Sequence, residues 1–323
     1  MGPAFGRAPG GRAVKTRSNR IARLERFFKP ILDSIIGLTA VGLLRLIRLN
    51  DRNKVANLFG WVMRGIGPWL PEHRIGRANL EAAFPEKPPS EIEQILRGVW
   101  DNLGRVVAEF AHLDRIRIGN PDEPGSGDVR YEPSALVMLD QIRRNEKPTI
   151  FFAVHTANWE IPALVPPLVG LDSYALYRRL NIKALNDAVL KIRAGCMGTL
   201  VLAGFDAPIR LADAIKRGGH VGMLVDQHYT NGVDVTYFGR PCKANPLLAR
   251  LARRFDCPIR GLRVVRLSDR NTFRCESTEP LDLPRDAGGN IDIQGTMQAI
   301  TSVAEGWVRE HPDQWLWLHR RWR

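Results

Sequence analysis

His155 and Glu160 are the residues of this chain whose types and spacing could do chemistry. A carboxylate that holds one imidazole nitrogen leaves the other free to take a proton, the working half of a general-base site. The pair closes the stretch Pro148-Thr149-Ile150-Phe151-Phe152-Ala153-Val154-His155-Thr156-Ala157-Asn158-Trp159-Glu160. On one regular helix, residues five apart lie about 140° out of register, so the two can meet only if the chain turns between them. A short apolar run ending in a polar break reads as a buried strand delivering His155 at its carboxyl end. Asn158 is then a suitable N-cap and Glu160 falls in the first helical turn, where negative charge is favoured. With no protein nucleophile in the pattern, the chemistry is deprotonation of a substrate hydroxyl as it attacks an activated carbonyl. Taken alone, the same spacing arises by chance as a buried histidine beside an incidental glutamate.

The elements that must position this pair follow from the pattern. After the strand before His155 come a strand at 172–177, a helix at 182–194, a strand at 199–203 and a helix at 206–217. Further strands are expected at 221–226 and 235–238, a helix at 246–255, a strand pair at 259–267 and 273–278, and a long final helix at 291–310. Alternating strands and helices specify an α/β fold, a central, mostly parallel or mixed sheet flanked by helices. Ligands in such sheets bind at the carboxyl ends of strands. Upstream, a helix stops before Pro85. Ser90 and Glu93 suggest a capping box opening a helix whose stripe is Ile95, Leu96, Val99, Trp100, Leu103, Val106 and Val107. Residues 119–128 read as a loop.

The chain has 323 residues and a formal charge of +13. That excess points to an anionic partner: nucleic acid, an acidic membrane surface, or an acidic substrate or carrier. No helix-turn-helix, zinc finger or RNP-like motif supports nucleic acid. The four cysteines, Cys196, Cys242, Cys257 and Cys275, have neither metal-site spacing nor a disulfide framework, and no H-E-x-x-H occurs. No metal and no cofactor is expected.

Residues 1–20 read as a disordered basic tail, with no convincing cleavage site for a secretory signal. Residues 21–75 read as a membrane-associated helical segment and 76–323 as the α/β domain. The apolar run at 34–44 is short of the roughly 20 residues a spanning helix needs. A helix over 31–49 is expected to lie in the interface, with Arg45 and Arg48 reaching headgroups, followed by a similar segment at 55–70. An ordinary pair of core helices is the competing interpretation. The basic flank favours the cytoplasmic leaflet, where anionic lipid attracts such clusters.

His155-Thr156-Ala157-Asn158-Trp159-Glu160 resembles the H-x4-D/E block of the lysophospholipid-type acyltransferase superfamily. In its N-W-E form it resembles the late acyltransferases of lipid A biosynthesis, the lauroyl/myristoyl transferases. Asn79-Leu80, Phe84-Pro85-Glu86 and the Trp100–Glu109 helix are similar to that family's amino-terminal region. Leu176-Tyr177-Arg178-Arg179-Leu180-Asn181, Val225-Asp226-Gln227 and Tyr237-Phe238-Gly239-Arg240-Pro241 resemble its next blocks. His311-Pro312-Asp313-Gln314-Trp315-Leu316-Trp317-Leu318-His319-Arg320-Arg321-Trp322 resembles its closing P-x-Q-W/Y-x-W-x-H-R-R. The sequence departs after Asp226-Gln227, where His228-Tyr229-Thr230-Asn231-Gly232 stands in place of an acidic residue and a Gly-rich turn, and at Cys242-Lys243-Ala244-Asn245-Pro246.

The resemblance implies a glycerolipid-acyltransferase-like fold at the cytoplasmic face of a bacterial inner membrane. Acyl carrier protein would be the thioester donor and a lipid A precursor the acceptor, beside anionic lipid. His155 would be the base and Glu160 its orienting group. Arg178 would bind substrate phosphate or the developing oxyanion, with Asn158, Asp226 and Gln227 as further binding candidates. An Asp226–Arg178 pair serving structure alone is the competing role, and His319 to Arg323 would make a headgroup-level contact. Another glycolipid or glycerolipid acceptor is the alternative within the superfamily, although no F-P-E-G-type block follows His155. A non-enzymatic basic protein binding membrane or nucleic acid is the alternative outside it.

Overall fold

The computed structural model describes residues 36–322 apart from Pro124, Glu146 and Asn181. The expected tail at 1–20 and the start of the first helix lie outside the described residues. Residues 36–48 are helical (α1), followed by α2 (Arg52–Ile66), α3 (Pro71–Ala83) and α4 (Pro89–Phe110). Asp51 caps α2, its Oδ1 accepting the Lys54 N–H at 2.9 Å. Prolines open α3 and α4, where the missing N–H costs nothing and φ is already helical. The capping box on α4 does not form. With Pro89 at the first helical position, Ser90 is inside the helix, and Glu93 instead pairs with Arg77 at 2.6 Å and His73 at 3.4 Å.

α4 buries Ile92, Ile95, Leu96, Val99, Trp100 and Val106, while Val107 turns outward. α2 lies close along α4: a Cβ at Gly104 would stand 2.3 Å from the Phe59 carbonyl oxygen, so only glycine permits this approach. The expected boundary at 75/76 falls inside α3. Arg48 does not extend from α1 to solvent. It binds Asp114 at 2.8 Å and the Ala111 carbonyl at 2.5 Å, tying α1 to the body. Arg45 is exposed.

The remaining elements are β1 (Val129–Tyr131), α5 (Pro133–Asn145), β2 (Ile150–Ala153), α6 (Val165–Leu168), β3 (Ser173–Tyr177), α7 (Lys183–Ala194), β4 (Thr199–Leu202), α8 (Ala207–Lys216), β5 (His220–Leu224), β6 (Val233–Tyr237), β7 (Arg240–Ala244), α9 (Leu247–Phe255), β8 (Ile259–Arg266), β9 (Phe273–Ser277) and α10 (Ile293–Glu310). Seven strands form one sheet in the order β1-β9-β8-β2-β5-β3-β4. Pairing is parallel throughout except between β8 and β9. The expected strand 259–267 is β8, buried along its whole length, as a strand covered on both faces must be. β1 and α5 were not anticipated from the pattern.

The expected strand at 235–238 does not join this sheet. It is β6, paired antiparallel with β7 around Phe238 and Gly239, both at positive φ (53° and 67°), as a two-residue hairpin turn requires. α10 carries the hairpin, with the Phe238 N–H donating to Glu305 Oε2 at 2.6 Å and the Thr236 N–H to Gln298 Oε1 at 2.8 Å. Among the described residues, no helix is long and apolar enough to cross a membrane.

Candidate active site

β2 ends at Ala153 and β5 at Leu224, and the parallel register pairs these two residues directly. Two residues beyond each lie His155 and Asp226, so neighbouring strand ends deliver them side by side. His155 Nδ1 lies 2.7 Å from Asp226 Oδ1, and the His155 backbone N–H donates to Oδ2 at 2.8 Å. The Trp315 indole N–H donates to the same Oδ2 at 2.7 Å. An ionised carboxylate only accepts, so Nδ1 carries the imidazole proton and Nε2 is the lone-pair nitrogen. Gln227 places its amide nitrogen 3.3 Å from Nε2. Burial pushes the Asp226 carboxyl up. The imidazole of His155, its ring and backbone N–H groups, and His319 outweigh that effect and hold it well below the usual carboxylate range.

Glu160 is not the partner of His155. Among the described residues, the imidazole ring bonds to Asp226 and Gln227, whereas the Glu160 carboxylate takes both arms of Arg193 from α7, at 2.8 and 2.5 Å. The reason is the path of the intervening chain. Thr156 donates to the Val154 carbonyl at 2.8 Å, and Ala157 adopts a left-handed φ of 46°. Asn158 Oδ1 then accepts the Glu160 N–H at 3.2 Å, and Glu160 precedes a single 3-10 turn, Ile161–Ala163, in place of the expected regular helix. This turn directs Glu160 towards α7. The two residues do not share a continuous helix, as the strand-then-turn reading required.

Asn158 is fully buried and lies away from the cleft surface. Its side chain donates to Glu109 Oε2 at 2.9 Å and accepts the Glu160 N–H, bonds that hold the loop. Glu109 in turn forms a buried ion pair with Arg266, whose Nε donates to Asn102 Oδ1 at 2.9 Å. Asn102 holds the carbonyl of Ala157 at 3.0 Å. This network fixes the loop that carries His155 to α4 and β8.

His155, Glu160, Arg193 and Gln227 line a cleft of about 890 Å³. Part of its wall is apolar, with Phe151, Leu176, Met197, Leu200, Met223 and Leu262, and it reaches along the sheet face to Ser173 and His220 at the amino ends of β3 and β5. Arg178 and Arg179 follow β3, exposed and on the cleft lining, and Arg178 has no ion-pair partner among the described residues. Asp226 is therefore not paired with Arg178. A second hollow of about 900 Å³, lined by Trp61, Arg64, Ile66, Arg97, Asp101 and Arg270, contains none of the His155 site. The first cleft thus sets a run of apolar side chains beside His155, whose Nε2 faces the Gln227 amide.

The chain's last residues complete the site. Leu316 donates its N–H to the His155 carbonyl at 3.0 Å, Ala157 donates to the Gln314 carbonyl at 2.9 Å, and Thr156 and Trp315 form a bridge. His319 Nε2 lies 3.4 Å from the Asp226 carbonyl. Of the segment expected to contact headgroups, Arg321 is instead buried and donates to the Lys243 carbonyl at 2.6 Å and Trp322 stacks on Tyr237, while Arg320 is exposed and Arg323 lies outside the described residues. Sequence reasoning missed Asp226 as the holder of His155, and also missed Arg193 and Trp315. The available signal was that Val154-His155 and Val225-Asp226-Gln227 both follow buried strands, but strand order is not legible in the sequence.

A family model described as bacterial lipid A biosynthesis acyltransferase matches residues 30–323. The chain is 24% identical over 264 residues to lipid A biosynthesis acyltransferase 2 of Shigella flexneri, covering 80% of this chain and 81% of that one. It is 23% identical over 242 residues to the lipid A biosynthesis myristoyltransferase of Escherichia coli (strain K12), covering 74% and 72%.

Proposed function

The chain belongs to the bacterial lipid A biosynthesis acyltransferase family, and from that membership we propose that it moves a fatty acyl chain from an acyl carrier protein thioester to a hydroxyl of a lipid A precursor. The observation that carries this reading is His155, held by Asp226 with Nε2 turned to an apolar cleft. The acceptor hydroxyl takes the place of the Gln227 amide at Nε2. As its oxygen attacks the thioester carbonyl, the hydroxyl proton passes to Nε2 and Asp226 stabilises the imidazolium. The tetrahedral adduct collapses, the C–S bond breaks, and the imidazolium returns the proton to the departing thiolate. No cofactor takes part.

The acyl chain lies along Phe151, Met197, Leu200 and Met223. Arg178 binds a phosphate of the acceptor or the developing oxyanion, a task suited to a guanidinium fork. Glu160 and Arg193 form part of the cleft wall. The excess of basic residues suits an acidic carrier protein and a phosphorylated acceptor. The exposed apolar residues of α1 and α2 suit attachment to the cytoplasmic face of the inner membrane.

The test is incubation with acyl carrier protein thioester and an under-acylated lipid A precursor, read by mass spectrometry. A product one acyl chain heavier is expected. Its rate should fall by about 10²–10⁴ in His155→Ala and in Asp226→Asn. Full activity in folded His155→Ala would overturn the mechanism.

A further inference from the structure

We infer that Trp315 is a positioning residue for this reaction, its indole N–H setting the basicity of His155 through Asp226. The inference rests on the reading of His155 as the general base. The Asp226 carboxylate receives three donors: the His155 ring at Oδ1, and the His155 backbone and Trp315 indole together at Oδ2. The indole cannot turn away. Trp315 is 1% exposed and packs edge-on against Tyr237, Trp317 and His319, with ring centroids 5.7, 4.6 and 5.2 Å distant. Its backbone bridges to Thr156, and the next residue, Leu316, donates to the His155 carbonyl. The segment that supplies the indole thus also holds the loop carrying the base.

A carboxylate that shares its charge among several donors pulls less strongly on any one of them. While the indole is bound, Asp226 orients His155 without making its imidazolium so stable that the proton cannot leave. Without the indole, the carboxylate charge concentrates on the imidazolium and Nε2 becomes the stronger base. The other titratable groups around the pair are His319 on the same segment, half-buried, and Tyr237 on β6, buried. Glu160 with Arg193, Arg178 and His228 line the cleft. Burial keeps the Tyr237 phenol neutral, its pKa raised well above ordinary.

The experiment is kcat/KM against pH for the full chain, Trp315→Phe and Trp317→Phe. Trp317 is equally buried, but its indole donates to the Pro312 carbonyl at 2.8 Å and does not touch Asp226. In Trp315→Phe the acid limb should move up by roughly half to one pH unit, the size of effect one donor has on a buried carboxylate. In Trp317→Phe it should stay at the wild-type position. A Trp315→Phe rate lowered equally at every pH, with the limb unmoved, would reduce Trp315 to packing and overturn the inference.

A second measurement covers the case in which Trp315→Phe does not fold. In protein carrying Trp159→Phe, which removes the indole whose ring faces His155, ¹⁵N-labelled tryptophan should show an indole N–H resonance that titrates and becomes silent in His155→Ala. The absence of any titrating indole would refute the coupling. This readout needs no substrate, so a wrong acceptor or donor fails the mass-spectrometric assay and leaves the titration standing.

Discussion

Arg193 grips Glu160 with a two-point fork, Nε 2.8 Å from Oε2 and Nη2 2.5 Å from Oε1, and so occupies the carboxylate that the chain places nearest to His155. Both side chains are largely buried. Arg193 also lies over the Phe110 ring at 5.2 Å, which ties α7 to α4 beside the cleft.

Removing one member of such a pair leaves a buried charge without compensation. Arg193→Met is expected to destabilise the fold by roughly 3–5 kcal/mol, whereas the double variant Arg193→Met/Glu160→Met recovers most of that loss. Urea denaturation of the two variants checks this. Equal stability of the single and double variants would contradict the expected recovery.

Stability should also fall on mild acidification. His220 accepts the Thr149 N–H at Nδ1, 3.1 Å away, and can do so only while neutral. Burial lowers its pKa, with Asp172 opposing, and burial lowers those of His112, His311 and His319 as well. Between the lowered folded value and the ordinary value near 6.5, the unfolded chain binds the proton and the folded chain does not. Stability is therefore full above about pH 7 and declines as pH drops towards the folded pKa. Melting curves from pH 7.5 to 5.5 should show the decline, with a shallower slope in His220→Gln. An unchanged slope in that variant would remove His220 from the account.

Attachment to membrane should depend on α1 and α2. Leu38 and Leu46 on α1, Trp61 on α2 and Trp69 just beyond α2 are 70%, 58%, 65% and 89% exposed, too many large apolar side chains in one stretch of chain for an ordinary wetted face. Binding to vesicles containing phosphatidylglycerol should weaken by at least roughly tenfold for each of Leu38→Asp and Leu46→Asp, since burying one leucine side chain contributes about 1.5–3 kcal/mol. Cosedimentation measures this. Wild-type binding by the double variant would dismiss the surface.

Much of the architecture was legible because its signals are local. The apolar run 150–154 ends at a polar break wherever it is placed, and the expected strands at 172–177, 199–203 and 221–226 appear within a residue or two as β3, β4 and β5. The 3.6-residue stripe on α4 is likewise a property of the stretch itself. The hairpin of β6 and β7 was read as a single strand in the main sheet because four residues of alternating pattern do not say which sheet will accept them. The capping box at Ser90 failed because Pro89 begins the helix one residue too early.

The sequence by itself determined that a histidine stands just past a buried strand, that a carboxylate follows five residues later, and that the chain carries the blocks of one acyltransferase family. Only the tertiary structure decided which carboxylate reaches that histidine. Parallel pairing of Ala153 with Leu224 sets Asp226 beside His155 across 71 residues of chain. The Ala157 turn sends the nearer Glu160 to Arg193, and the final segment brings the Trp315 indole to Asp226. Sequence spacing sets how far apart two residues can be. Strand register and the direction of a turn set whether they touch.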